Sequence, residues 1–90
     1  MSLTWKVELE DGALRSLRKL DKATAKRIVD FLKERLAKRE DPRSLGRPLR
    51  GGLADYWRYR VGDYRLVCQI LDQRLVVLVL RIAHRRESYR

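Results

Sequence analysis

Apolar and polar residues alternate from Leu3 to Glu10, with Leu3, Trp5, Val7 and Leu9 on one side and Thr4, Lys6, Glu8 and Glu10 on the other. A two-residue period sends successive side chains to opposite faces, so this segment predicts a first strand with one buried face. The period then changes. Ala13, Leu14, Leu17 and Leu20 recur at helical spacing, which predicts a short helix over Asp11 to Leu20 with Asp11 capping its first turn. Asp21 restarts the pattern as a second N-cap. Ala25, Val29, Leu32 and Leu36, supported by Ile28 and Phe31, predict a second helix to about Lys38. Its opposite face, with Lys22, Lys26, Asp30, Lys33, Glu34 and Lys38, reads as solvated surface.

Residues 41–54 hold both prolines, Pro42 and Pro48, with Gly46, Gly51 and Gly52, so they predict a loop. That loop carries Arg43, Arg47 and Arg50, and a basic loop beside a sheet suits phosphate. The last third reads as a three-stranded meander: Tyr56 to Val61, a Gly62-Asp63 turn, Tyr64 to Leu71, an Asp72-Gln73 turn, then Arg74 to Ala83. The order β-α-α-β-β-β predicts an α+β fold, two helices on one face of a mostly antiparallel four-stranded sheet, in a single domain over residues 1–90.

A two-residue Gly62-Asp63 loop sets Val61 opposite Tyr64, Arg60 opposite Arg65, Tyr59 opposite Leu66, Arg58 opposite Val67 and Trp57 opposite Cys68. One face then holds Trp57, Tyr59, Val61, Tyr64, Leu66 and Cys68 as core. The other holds Tyr56, Arg58, Arg60, Arg65 and Gln69. Like charges directly opposed on a sheet are destabilising, and either an anion between them or carboxylate partners from elsewhere on a solvated face remove the conflict. If Asp72-Gln73 is also a two-residue turn, Val76, Leu78 and Leu80 join the arginine face and make it part apolar, suited to splayed bases or a partner helix.

Composition points the same way. Lys plus Arg number 22 against 12 Asp plus Glu, a formal net charge of +10. Such an excess favours a polyanion: nucleic acid first, with an anionic membrane or an acidic protein behind it. Cys68 is the sequence's only cysteine, which excludes an internal disulfide, fits a reducing cytosol and, with no paired histidines, predicts no metal site. The longest apolar run, Leu75 to Leu80, is too short to span a bilayer, and no charged-then-apolar leader opens the chain, so a cytoplasmic protein without a membrane partner is expected.

Three stretches in order complete the reading: Leu49-Arg50-Gly51-Gly52, then Tyr56-Trp57-Arg58-Tyr59-Arg60-Val61-Gly62-Asp63-Tyr64-Arg65-Leu66-Val67, then a Val/Leu strand ending His84-Arg85-Arg86-Glu87-Ser88-Tyr89. Together they resemble the RelE/ParE toxin superfamily over nearly the whole chain. The resemblance implies the RelE-like fold and a metal-independent, cofactor-free endoribonuclease that cuts mRNA in the ribosomal A site through attack of the adjacent 2′-hydroxyl. It also implies a cognate RelB-like antitoxin.

Carried over by position, the resemblance assigns catalysis to Arg58, Arg60, Arg65, Arg85 and Tyr89, with His84 as an alternative acid or base. Arg47, Arg50, Tyr56 and Arg86 are expected to contact RNA. The family's namesake has lysines where this chain has Arg58 and Arg60, and its tyrosine lies further from the arginine than Tyr89 does from Arg85. Arginine keeps its proton far above neutrality, so these side chains suit charge stabilisation of a phosphorane rather than proton transfer. Tyr89 among arginines suits a base. Two other readings share the fold or the charge: a ParE-like DNA gyrase inhibitor, which requires no such phosphate site, and a non-catalytic nucleic-acid-binding module.

Overall fold

The computed structural model describes residues 4–49 and 56–87. Along them run β1 (Lys6–Leu9), α1 (Asp11–Arg18), α2 (Lys22–Asp30), β2 (Arg47–Pro48), β3 (Tyr56–Val61), β4 (Tyr64–Leu71) and β5 (Val76–His84). The strands form one mixed sheet in the order β1-β5-β4-β3-β2, with β1 parallel to β5 and every other neighbouring pair antiparallel. The α+β class and the two helices are as expected, but the described sheet has five strands, not four. The extra strand lies inside the expected loop, where Arg47 pairs with Arg58 and Pro48 with Trp57. A proline there is tolerated because β2 is an edge, where its missing N–H costs no ladder bond.

Both helices pack on one side of the sheet. Ala13, Ile28, Leu32 and Leu36 join Tyr59, Val61, Leu66, Cys68, Ile70, Val77, Val79 and Ile82 in a single buried cluster. Alternate residues of β3 and β4 supply it, as the period-two pattern predicts. Asp21 caps α2, its carboxylate accepting the Thr24 N–H at 3.1 Å, and this bond holds the carboxyl below its ordinary value. Asp11 is not a cap. Glu10 occupies the N-cap position of α1 in extended backbone without a side-chain bond, and Asp11 is the first helical residue, where its charge still favours the helix N-terminus. Beyond Asp30 the second helix continues as a π-helical stretch, Phe31–Leu36, that buries Leu32 and Leu36.

The β3–β4 hairpin has the predicted register throughout, from Tyr56 opposite Gln69 to Val61 opposite Tyr64. Gly62, at φ +58°, supplies the left-handed turn residue. The β4–β5 connection differs from expectation. Asp72–Arg74 is a 3₁₀ turn and Leu75 sits at φ 53°, so β5 begins at Val76, opposite Leu71. This shift against a two-residue turn is even, so Val76 and Leu78 keep the face expected for them. An irregularity between Val67 and Cys68 then leaves Leu80 unpaired, because Cys68 faces Val79 while Val67 faces Arg81. One extra residue reverses the alternation. Ile82 turns into the core, 4% exposed, and Arg81 turns outward.

Candidate nucleic-acid cleft

The sheet face away from the helices carries the cationic cluster. Arg47 lies directly opposite Arg58, and Arg60 directly opposite Arg65, so like charges oppose each other on adjacent rungs of three strands. These four arginines, with Ser44, Leu45, Gly46 and Tyr59, line an open cavity of about 720 Å³. Among the described residues, no ion pair involves Arg47, Arg58 or Arg60. Opposed cations weaken a sheet. A phosphodiester between them converts the repulsion into charge-assisted hydrogen bonds.

One wall of the cavity is the 3₁₀ turn Pro42–Leu45, and three contacts fix it. Asp41 accepts the Arg43 N–H at 3.0 Å. The buried Tyr59 hydroxyl donates to the Pro42 carbonyl at 2.9 Å. The Arg43 guanidinium forks onto Asp72, with Nη1–Oδ1 at 3.0 Å and Nη2–Oδ2 at 2.6 Å, and stands 5.9 Å from the Trp57 ring centroid. The fork raises the Arg43 pKa and holds the Asp72 carboxyl below its ordinary value, in each case chiefly through the hydrogen bond itself. Gly46 completes the wall. A Cβ there would come within 2.7 Å of both the Arg58 carbonyl oxygen and the Tyr59 ring.

The remaining site residues distribute unevenly. Arg85 lies at the hairpin tip, its N–H donating to the Asp63 carbonyl at 2.8 Å and its Nε 3.9 Å from the Asp63 carboxylate. Tyr56 is on the arginine face opposite Gln69, half-buried, but does not line the cavity. His84 is not brought to that face. It pairs with Tyr64, on the helix side of the sheet, and the two rings meet edge to face at 5.2 Å. Its Nδ1 accepts the Arg86 N–H at 3.2 Å, and the Glu87 carboxylate accepts the His84 N–H at 3.2 Å. Arg86 is exposed in this turn and away from the cavity lining. Arg50 and Tyr89 lie outside the described residues.

Sequence reasoning missed the 44–46 wall and Arg81, which the irregularity turns outward opposite Val67 and whose Nη2 donates to the Glu87 carbonyl at 3.3 Å. Nothing in the apolar run of β5 marks an inserted residue. Two interior groups are chemically quiet. Burial pushes the Cys68 thiol up to about 12 and raises the Tyr59 phenol well above its ordinary value. Among the described residues, no group of three or more His, Cys, Asp or Glu is placed to hold a metal ion, and no helix is long and apolar enough to cross a membrane.

Residues 7–89 match the family model of the ParE toxin of the type II toxin–antitoxin system parDE. The chain is 34% identical over 88 residues to Toxin RelG of Mycobacterium tuberculosis, covering 98% of this chain and 99% of the relative. It is 37% identical over 84 residues to Toxin RelE of the same organism, covering 93% and 84%. Among solved structures, the toxin–antitoxin complex RelBE2 from Mycobacterium tuberculosis superposes with a TM-score of 0.83 at 33% identity, over 94% of this chain and 95% of that one.

Proposed function

Because this chain belongs to the RelE/ParE toxin family of type II toxin–antitoxin systems, we propose that it is an endoribonuclease that cuts mRNA in the ribosomal A site. The observation that carries the reading is the pair of opposed arginine rungs, Arg47 with Arg58 and Arg60 with Arg65, over a cavity open to solvent. A phosphodiester strand laid over these rungs relieves the repulsion between Arg47 and Arg58 and takes the charge-assisted, bidentate hydrogen bonds that guanidinium forks make to phosphate. Occurrence of a solved relative in a toxin–antitoxin complex supports a cognate RelB-like antitoxin as the partner that silences this chain.

The reaction needs four things. A base removes the proton of the 2′-hydroxyl, and the 2′-oxygen attacks the adjacent phosphorus. The bond to the 5′-oxygen breaks, and that oxygen takes up a proton. The products are a 2′,3′-cyclic phosphate and a 5′-hydroxyl. Arg65 and Arg85 are assigned to the phosphorane oxygens and Arg58 and Arg60 to orienting the strand, since fixed cations aimed at developing charge lower the barrier without a metal. Tyr89 is assigned the base. His84 is disfavoured by its place on the opposite face of the sheet, against Tyr64. Arg47 and Tyr56 suit contacts to the flanking strand, and Arg50 and Arg86 belong to the same basic periphery.

The test is a translation reaction on a defined mRNA, with and without ribosomes, comparing wild type with Arg65→Ala and Arg85→Ala. Ribosome-dependent cuts ending in a cyclic phosphate are expected, and each variant should lose about 10²–10³-fold in rate, the scale of removing one preorganised donor. The matching family model is described by the ParE toxin, so the ParE-like gyrase inhibitor is kept as the second reading. Intact mRNA beside inhibited gyrase supercoiling would establish that alternative instead.

A further inference from the structure

β2 pairs with β3 only at Trp57 and Arg58, so beyond Arg58 the outer edge of β3 is left uncovered by strand. A second cavity, of about 540 Å³, opens between this edge and α2 with its π continuation. Arg60 lines both cavities.

The second cavity is cationic once its carboxylates are accounted for. Asp30 is paired with Lys26 at 2.7 Å, and Glu34 with Lys38 at 2.8 Å. Arg27, Arg35 and Arg60 line the same space, and among the described residues no ion pair involves any of them. Arg27 is held over the hairpin tip: a Cβ on Gly62 would stand 2.9 Å from its Nη1. Arg35 is stationed by the Phe31 ring, 5.8 Å from its centroid. Three guanidinium groups from two helical segments and one strand thus converge on one space with their nearby acids already used. They repel one another, and neither the core nor the first cavity requires Arg27 and Arg35 there.

The geometry points to the second cavity as a phosphodiester subsite for the single-stranded RNA that flanks the cut, reached over Arg60 from the first. The inference deepens the nuclease reading and rests on it for the identity of the strand. The shared residue argues for one continuous strand rather than a separate ribosomal RNA contact: a chain leaving the first cavity past Arg60 enters the second directly. Guanidinium forks bind phosphate bidentately, and a polyanion gains affinity from each phosphate neutralised.

Binding is read on the full-length protein by fluorescence anisotropy with RNA oligonucleotides carrying a 2′-deoxy nucleotide at the cut, which removes the attacking hydroxyl. Arg27 and Arg35 are exposed, so the double variant Arg27→Gln/Arg35→Gln leaves the core untouched. Wild type and variant should bind a trimer equally. On a longer oligonucleotide, the variant should be about tenfold weaker, and its log K against log salt slope shallower by about 0.7–1.4, the contribution of one to two single-strand phosphates. Equal losses on trimer and longer RNA would overturn the subsite in favour of a diffuse field. Unchanged binding at both lengths, with weakened affinity for ribosomes alone, would overturn it in favour of a ribosomal RNA contact. Absence of mRNA cleavage by wild type in the translation reaction would remove the nuclease reading, while the length dependence of binding is read separately from it.

Discussion

The Tyr59 side chain is 1% exposed and its hydroxyl donates to the Pro42 carbonyl at 2.9 Å, so that hydroxyl is a structural donor. Tyr59→Phe should leave that carbonyl without its donor, cost about 1–2 kcal/mol, and lower the melting temperature without altering the pH profile of cleavage. Tyr89 has the opposite assignment. Tyr89→Phe should keep ribosome affinity and lower single-turnover cleavage by orders of magnitude; unchanged single-turnover cleavage would remove the tyrosine from proton transfer. Gly46 is constrained by space instead: a Cβ there would stand 2.7 Å from both the Arg58 carbonyl oxygen and the Tyr59 ring. Gly46→Ala forces one of these groups aside, at about 1–3 kcal/mol by the scale of overpacking. A melting curve should show the loss, and RNA affinity should fall with it, since the same backbone lines the arginine cavity.

The elements were legible wherever one period held without interruption. The β3–β4 hairpin, with Gly62-Asp63 fixing register and alternation fixing the faces, was readable residue by residue, and so was the opposition of Arg60 to Arg65. Legibility ended where one residue changed the count. Leu80 at the irregularity exchanges the faces of Arg81 and Ile82, and an unbroken apolar run carries no sign of it. The two-residue β2 was hidden because its proline and glycine neighbours predict a loop, and its strand character comes only from pairing with β3. The Arg43–Asp72 fork was invisible for a different reason: its partners stand 29 residues apart. That fork makes a pH prediction. The folded Asp72 carboxyl is depressed, so its contribution to stability is present above the unfolded value near 3.9 and is lost as pH falls through the lower folded value. Asp72→Asn should therefore melt below wild type at pH 6, with the gap closing towards pH 2.5. A gap that persists undiminished in acid would show that Asp72 acts other than through its charge.

For the whole molecule, a formal charge of +10 implies that any partner is first met through a long-range field and then held by what lies under it. The open sheet face has two such layers. Beside the arginine cavity, the half-buried Val67, Leu78 and Leu80 form an apolar strip that salt does not weaken. The proposed antitoxin should use both, with acidic residues for approach and apolar ones for retention. Raising salt from 50 to 500 mM shortens the Debye length from above 10 Å to below it and screens the first layer alone. The association rate of the toxin–antitoxin pair should then fall by about tenfold or more while the dissociation rate changes little, which surface-capture kinetics at the two salt concentrations would measure. A dissociation rate that rose as steeply as the association rate fell would mean that ion pairs hold the complex and the strip lies outside it. Leu78→Ser separates the same layers from the other side: it should speed dissociation and leave association unchanged, because it removes buried apolar area without touching the field.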